Sequence, residues 1–293
     1  MKTRIAVFAL IALTAGMSAC TRTHNGIPSD LRNAVADNGV IGQSGGERAV
    51  AVSGPRYPVE FITIPGGKFT MGTVSGEKGF EGSKPIHEVA IKTFDMSKTA
   101  VTVEQYAECV IKGGCTEPAT GYYCNWGVAG RQLHPVNCVD WDQADKYAKF
   151  KGARLPSESE WEYAATSGGK SRKYPWGNDE PTCAKAVMHG NGGDGCGRDS
   201  TMPVCSKPAG NTAQGLCDMA GNVWQWVQDK YQDSYKGAPV DGSAFEGAGS
   251  YRVFRGGDFS SVSAGNLRAA YRNAYDPGFR LSSIGFRLAR FRR

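Results

Sequence analysis

The chain is poor in histidine, the imidazole ligand of borderline metals. It has only four histidines among 293 residues. There is no C-x-x-C pair and no nearby pair of histidines, so the spacing of a zinc site is absent. Between Arg255 and Arg293 there is neither a cysteine nor a histidine. No internal repeat is visible. The apolar run Ile5–Leu13 is too short to span a bilayer as a mature helix. Charge of one sign is scarce too: 34 Lys and Arg against 28 Asp and Glu leave +6. That excess is scattered, apart from a solvated tail at Arg290, Arg292 and Arg293, and it carries no nucleic-acid signal.

What is present begins with a leader. Lys2 and Arg4 precede the apolar run, and Met17-Ser18-Ala19 leads to Cys20, the order of a secretory signal peptide over residues 1–19. The last four residues resemble the site at which bacterial lipoproteins are cleaved and acylated; ordinary cleavage near Ala19 is the alternative. Thr21 after the cysteine suggests the periplasmic face of the outer membrane, reached through a lipid on Cys20, with a soluble periplasmic or secreted protein as the alternative. Losing Lys2 and Arg4 with the leader would lower the formal charge from +6 to +4. Residues 20–57 are rich in Gly, Ser, Asn and Ala and hold no hydrophobic period, which reads as a flexible tether. A coil of this length reaches about 35 Å.

Residues 58–293 are long enough for one large core. Nine cysteines less Cys20 leave eight, an even number that reads as four disulfides after a secretion signal. Sequence leaves 105 connectivities open, although clustering favours local pairs such as Cys109–Cys115 and Cys205–Cys217. Three capping boxes, Thr102 with Gln105, Asp140 with Gln143 and Ser157 with Glu160, open three helices. Gly113-Gly114, Gly152 and Gly168-Gly169 end them. Strands are expected at 58–64, 87–94, 251–255 and 283–289. With 39 glycines and 14 prolines, the remainder should be long ordered loops. The fold class is α+β, irregular and disulfide-stapled.

The stretch DMAGNVWQWVQDKY, Asp218 to Tyr231, organises this domain. Gly221-Asn222 marks a tight turn, and Val223, Trp224, Trp226 and Val227 carry more apolar area than a surface loop would. Asp218, Gly221, Val223 and Gln225 could offer oxygens to calcium; a buried aromatic turn without an ion is the other reading. The run closely resembles the GN-x-WEW signature of the formylglycine-generating enzyme (sulfatase-modifying factor) family. IPGGKFTMGT, RLPSESEWEYAA, YPWGND, YRVFRGGDF and IGFRLAR resemble that family's other signatures in the same order. The resemblance covers residues 58–291 and implies a C-type-lectin-like fold.

It also implies where chemistry should lie. Catalytic members carry two cysteines after R-G-G that bind copper(I) and oxidise a substrate cysteine to formylglycine. Aligned on Arg255-Gly256-Gly257, those places hold Ser261 and Asn266, hard neutral groups that cannot replace a copper dithiolate. No copper is therefore expected. Asp258, Ser261, Asn266, Arg268 and Arg272, with Trp224 as an aromatic wall, form a candidate groove. Its polar residues could hold a ligand, Arg268 meeting an anionic group and Asp258 a cationic one, or could merely satisfy one another. A serine nucleophile is not favoured, because no His or Lys base stands near it in sequence. The resemblance places calcium at Asp218, Gly221, Val223 and Gln225. It places a second, weaker calcium set at Asp194 and the Cys196 carbonyl, where Lys185 stands in for an expected Asn. The function expected is that of a membrane-tethered accessory module binding a protein, peptide or small ligand. The alternative is a periplasmic enzyme of the same fold with non-copper chemistry, as in siderophore maturation.

Overall fold

The computed structural model describes residues 58–292 except Ser75 and Glu77; the expected signal peptide, Cys20 and tether lie outside the described residues. Three helices follow their capping boxes: α1 (Val103–Ile111), α2 (Trp141–Phe150) and α3 (Glu158–Ala165). In each, the N-cap oxygen accepts from the N3 amide while the N3 side chain accepts from the N-cap amide. Lys112, Lys151 and Thr166 cap their C-termini. The glycines just beyond, Gly113, Gly152 and Gly168, adopt the left-handed conformation that terminates a helix.

Nine short strands form three sheets. Strands β1 (Phe61–Ile64), β4 (Phe94–Ser97) and β9 (Ala289–Phe291) make one, in the order β1-β4-β9. Strands β2 (Gly67–Met71) and β3 (His87–Ile91) form a separate antiparallel pair. The central sheet runs β7-β6-β5-β8, from Arg272–Tyr275, Arg252–Arg255, Trp224–Lys230 and Ile284–Phe286. Strands β5 and β8 pair in parallel. The expected strands at 87–94 and 283–289 are each two strands in different sheets. In the second, Arg287 turns inward between β8 and β9 and is fully buried. The run after Gly221-Asn222, read as a turn with buried aromatics, continues as the longest strand, β5. Its Trp226 and Val227 are fully buried and join two different cores.

All eight cysteines of the domain pair locally: Cys109–Cys115, Cys124–Cys138, Cys183–Cys196 and Cys205–Cys217. Each closes a loop of 6 to 14 residues, where cross-linking removes about 2–4 kcal/mol of unfolded-chain entropy. No helix among the described residues is long and apolar enough to cross a membrane.

Candidate functional site

Strand β6 ends at Arg255 and hands over to Gly256-Gly257, both at positive φ. A Cβ at Gly257 would meet Leu267 Cδ2 at 2.6 Å, and one at Gly256 would meet Trp161 Cζ2 at 3.0 Å. Only glycine fits this close approach. The turn delivers Asp258, 4% exposed, into a small hydroxyl cage. Ser261 Oγ donates to Asp258 Oδ1 at 2.6 Å and Ser260 Oγ donates to Oδ2 at 2.9 Å. The Asp258 amide donates back to Ser261 Oγ at 3.0 Å. Burial raises the Asp258 pKa above the ordinary carboxylate value, and the serine hydrogen bonds only partly offset it.

A second segment docks on this turn. Disulfide Cys183–Cys196 closes a loop in which the His189 amide donates to the Ser261 carbonyl at 3.2 Å and the Gly195 amide donates to the Phe259 carbonyl at 2.7 Å. His189 Nδ1 lies 2.7 Å from Asp194 Oδ1, and because a carboxylate only accepts, Nδ1 is the donor. The Tyr123 ring lies 5.6 Å from Phe259. No histidine stands near Ser261 along the chain, and it is the fold that brings the His189 backbone against it. The signal that could have found it was the disulfide: pairing neighbouring cysteines pulls residues 183–196 into one compact loop.

The expected groove is thus partly assembled. Asp258 and Ser261 bond to each other. The Asn266 carbonyl lies beside Gly257, in the turn Ala264–Leu267. Arg268 is half-buried with its guanidinium 4.5 Å over the Phe80 ring. Two residues are elsewhere. Trp224 is no wall of this site, since it packs in the core at 5.3 Å from Phe254 and 6.0 Å from Tyr271. Arg272 does not face an open groove either. It forms a two-point pair with Glu158 at 2.8 and 2.7 Å. It also donates to the Gly82 and Gln232 carbonyls and is stacked by Tyr231 and Tyr235. Beside it Arg255, fully buried, pairs with Glu162 and lies 3.4 Å from Glu158. Its two terminal nitrogens donate inside the protein, to the Tyr271 carbonyl and to Glu162.

Of the calcium oxygens expected at Asp218, Gly221, Val223 and Gln225, the Gln225 side-chain oxygen is committed within the core. Gln225 has one side-chain oxygen, and it accepts from Trp161 Nε1 at 2.8 Å and Arg287 Nε at 2.6 Å. Its amide nitrogen therefore faces the Asp218 carbonyl, donating at 2.7 Å. Arg287 adds a full positive charge, donating to the carbonyls of Cys217 at 2.7 Å and Ser97 at 3.0 Å. At the weaker set, Asp194 is taken by His189, and Lys185 reaches Asp179 at 3.1 Å. Among the described residues no cluster of three His, Cys, Asp or Glu could hold a metal.

This irregular α+β frame and a glycine turn presenting a polar site define a class of protein, and the comparisons agree on it. The chain belongs to the family of the sulfatase-modifying factor enzyme 1-like domain, whose model matches residues 48–292, starting within the stretch read as tether. The formylglycine-generating enzyme of Streptomyces coelicolor is 30% identical over 80% of this chain and 90% of its own length. The hercynine oxygenase of Mycolicibacterium smegmatis is 31% identical over 78% of this chain, which spans 60% of that relative. The structure of PvdO from Pseudomonas aeruginosa is 32% identical with a TM-score of 0.68, covering 79% of this chain and 94% of that one.

Proposed function

We propose that this protein is a family member without the copper oxidase step, serving as a tethered module that binds a protein, peptide or small ligand through the Asp258–Ser261 turn. One observation carries the reading. The two places aligned with the family's thiolates hold Ser261 and Asn266, and every cysteine of the domain is in a disulfide. Copper(I) needs soft thiolate donors, and none is offered here. In this reading Asp258 would meet a cationic group and Arg268 an anionic one. The leader, Cys20 and the glycine-rich stretch support attachment at the periplasmic face of the outer membrane.

A second reading is an enzyme of this fold with non-copper chemistry. It draws on the His189–Asp194 pair, which orients an imidazole on the loop docked against Ser261, and on the raised pKa of Asp258. Two measurements test the first reading. Alkylation of oxidised, unreduced protein should label no cysteine of the domain, and titration with copper(I) against a competing chelator should find no stoichiometric site. Reactive thiols at Cys196 or Cys205, or one tightly held copper, would refute it.

A further inference from the structure

The four disulfides differ in what shields them. Cys109 and Cys138 are fully buried and Cys217 is 1% exposed, so three of the bridges keep one end deep in the core. Cys183 and Cys196 are both half-buried. Thiol–disulfide exchange needs a thiolate to reach one of the two sulfurs, and that requirement singles out Cys183–Cys196.

The loop that this bridge closes has two unlike halves. In the first, Ala186 and Val187 are at most 1% exposed, and the Val187 carbonyl accepts from the Asn222 amide at 2.8 Å. In the second, Gly190, Gly192, Gly193, Gly195 and Gly197 give the backbone little side-chain packing of its own. Asn191 and Cys196 stand there at φ 52° and 60°. A residue other than glycine holds that left-handed conformation only where its surroundings enforce it. This second half meets the Asp258–Ser261 turn through one backbone bond, from the Gly195 amide to the Phe259 carbonyl, and it carries Asp194, the partner of His189. Its Cys196 amide reaches back to the Met188 carbonyl at 2.8 Å. The disulfide is the covalent tie between the anchored half and the half that touches the site.

We propose that Cys183–Cys196 is a redox-sensitive latch on the candidate site. A dithiol reductant opens it selectively, the glycine-rich half loosens from Phe259, and Asp194 is withdrawn from His189. In the exchange, a thiolate of the reductant bonds one sulfur of the pair, and the other leaves as a thiolate and takes a proton. The reductant's second thiol then displaces the first, so the pair gains two electrons and two protons while the reductant becomes a disulfide. The latch's regulatory meaning rests on the reading of the Asp258–Ser261 turn as the binding site; its opening is read without a ligand, so either can fail alone.

The test is a titration of the folded full chain with dithiothreitol, followed by alkylation and peptide mass spectrometry, with hydrogen exchange measured in parallel. Cys183 and Cys196 should be labelled at a dose about tenfold below that needed for any other cysteine of the domain. At that dose the Gly195 and Cys196 amides should exchange about tenfold faster, with β5 and β6 unchanged, and reoxidation should restore the slow rate. Cys183→Ser/Cys196→Ser should match the reduced protein and show no further response to that dose. Should this variant not fold, the reduced natural chain carries the test alone. Earlier or simultaneous labelling of another pair would overturn the proposal, as would unchanged exchange at Gly195 once the bridge is open.

Discussion

Arg268 and Arg272 stand four residues apart in one segment, yet they end in regions of opposite character. Arg272 enters a sealed cluster with Glu158, Glu162 and Arg255, in which every side chain is at most 3% exposed. Arg268 remains half-buried at a cavity wall. The first region neutralises its charges internally and ties α3 to β6 and β7. The second keeps polar groups on loops, pinned by a disulfide and by glycine turns. A sequence motif lists both kinds side by side, but only burial separates them. Charges matched deep inside the protein serve the fold, and only a charge that reaches the surface can meet a ligand.

Breaking the sealed side should have the largest effect. Arg272→Ala leaves Glu158 buried with Arg255, 3.4 Å away, as its remaining cation, and should cost about 3 kcal/mol in urea unfolding. Arg268→Ala should cost well under half as much. Equal losses would erase the distinction between the two regions.

Next comes the staple on the open side. Replacing Cys183 and Cys196 together by serine should cost about 2–3 kcal/mol. Its distinctive effect should be local, with faster hydrogen exchange across residues 188–196 and at Ser261, while β5 and β6 stay protected. Global exchange at one common rate would argue against a separately pinned loop.

The pH dependence gives a smaller test. Burial, reinforced by Glu158, pushes the pKa of Asp229 up to about 7 from an ordinary 3.8. Between those values the folded chain holds a proton that the unfolded chain does not. The contribution of Asp229 is therefore present at low pH and lost as pH rises toward 7. His134 acts oppositely: burial, with Arg131 adding, lowers it to about 4 from 6.5, so its contribution is lost as pH falls through that interval. Asp229→Asn should remove only the first term. Relative to wild type, its melting temperature should drop by about 2–4 °C more on acidification from pH 7 to pH 5. An identical pH profile in both proteins would contradict this assignment.

Much of the fold was legible because its signals are local. A capping box is four residues long, and all three formed as their spacing implied. The neighbouring cysteine pairs Cys109–Cys115 and Cys205–Cys217 followed from clustering alone. Strand partners were less legible: 87–94 and 283–289 look continuous, yet each crosses from one sheet to another. The change at Arg287 is dictated by carbonyls of Ser97 and Cys217, distant in sequence. The candidate site divided the same way. Asp258 and Ser261 are three residues apart and meet. Trp224 and Arg272 could not be placed, because their partners Phe254 and Glu158 lie on other elements. Gln225 looked like a ligand by type, and only the donors around it, from Trp161 and Arg287, reveal its role in the core.

The central claim concerns the two places where thiolates would stand. Purified protein and the variant Ser261→Cys/Asn266→Cys should be incubated aerobically with copper and a cysteine-containing sulfatase peptide, then read by mass spectrometry beside a copper(I) titration. The natural chain should give no formylglycine and hold no stoichiometric copper, with copper binding gained only in the double variant. Formylglycine produced by the natural chain, above a heat-denatured control, would contradict it.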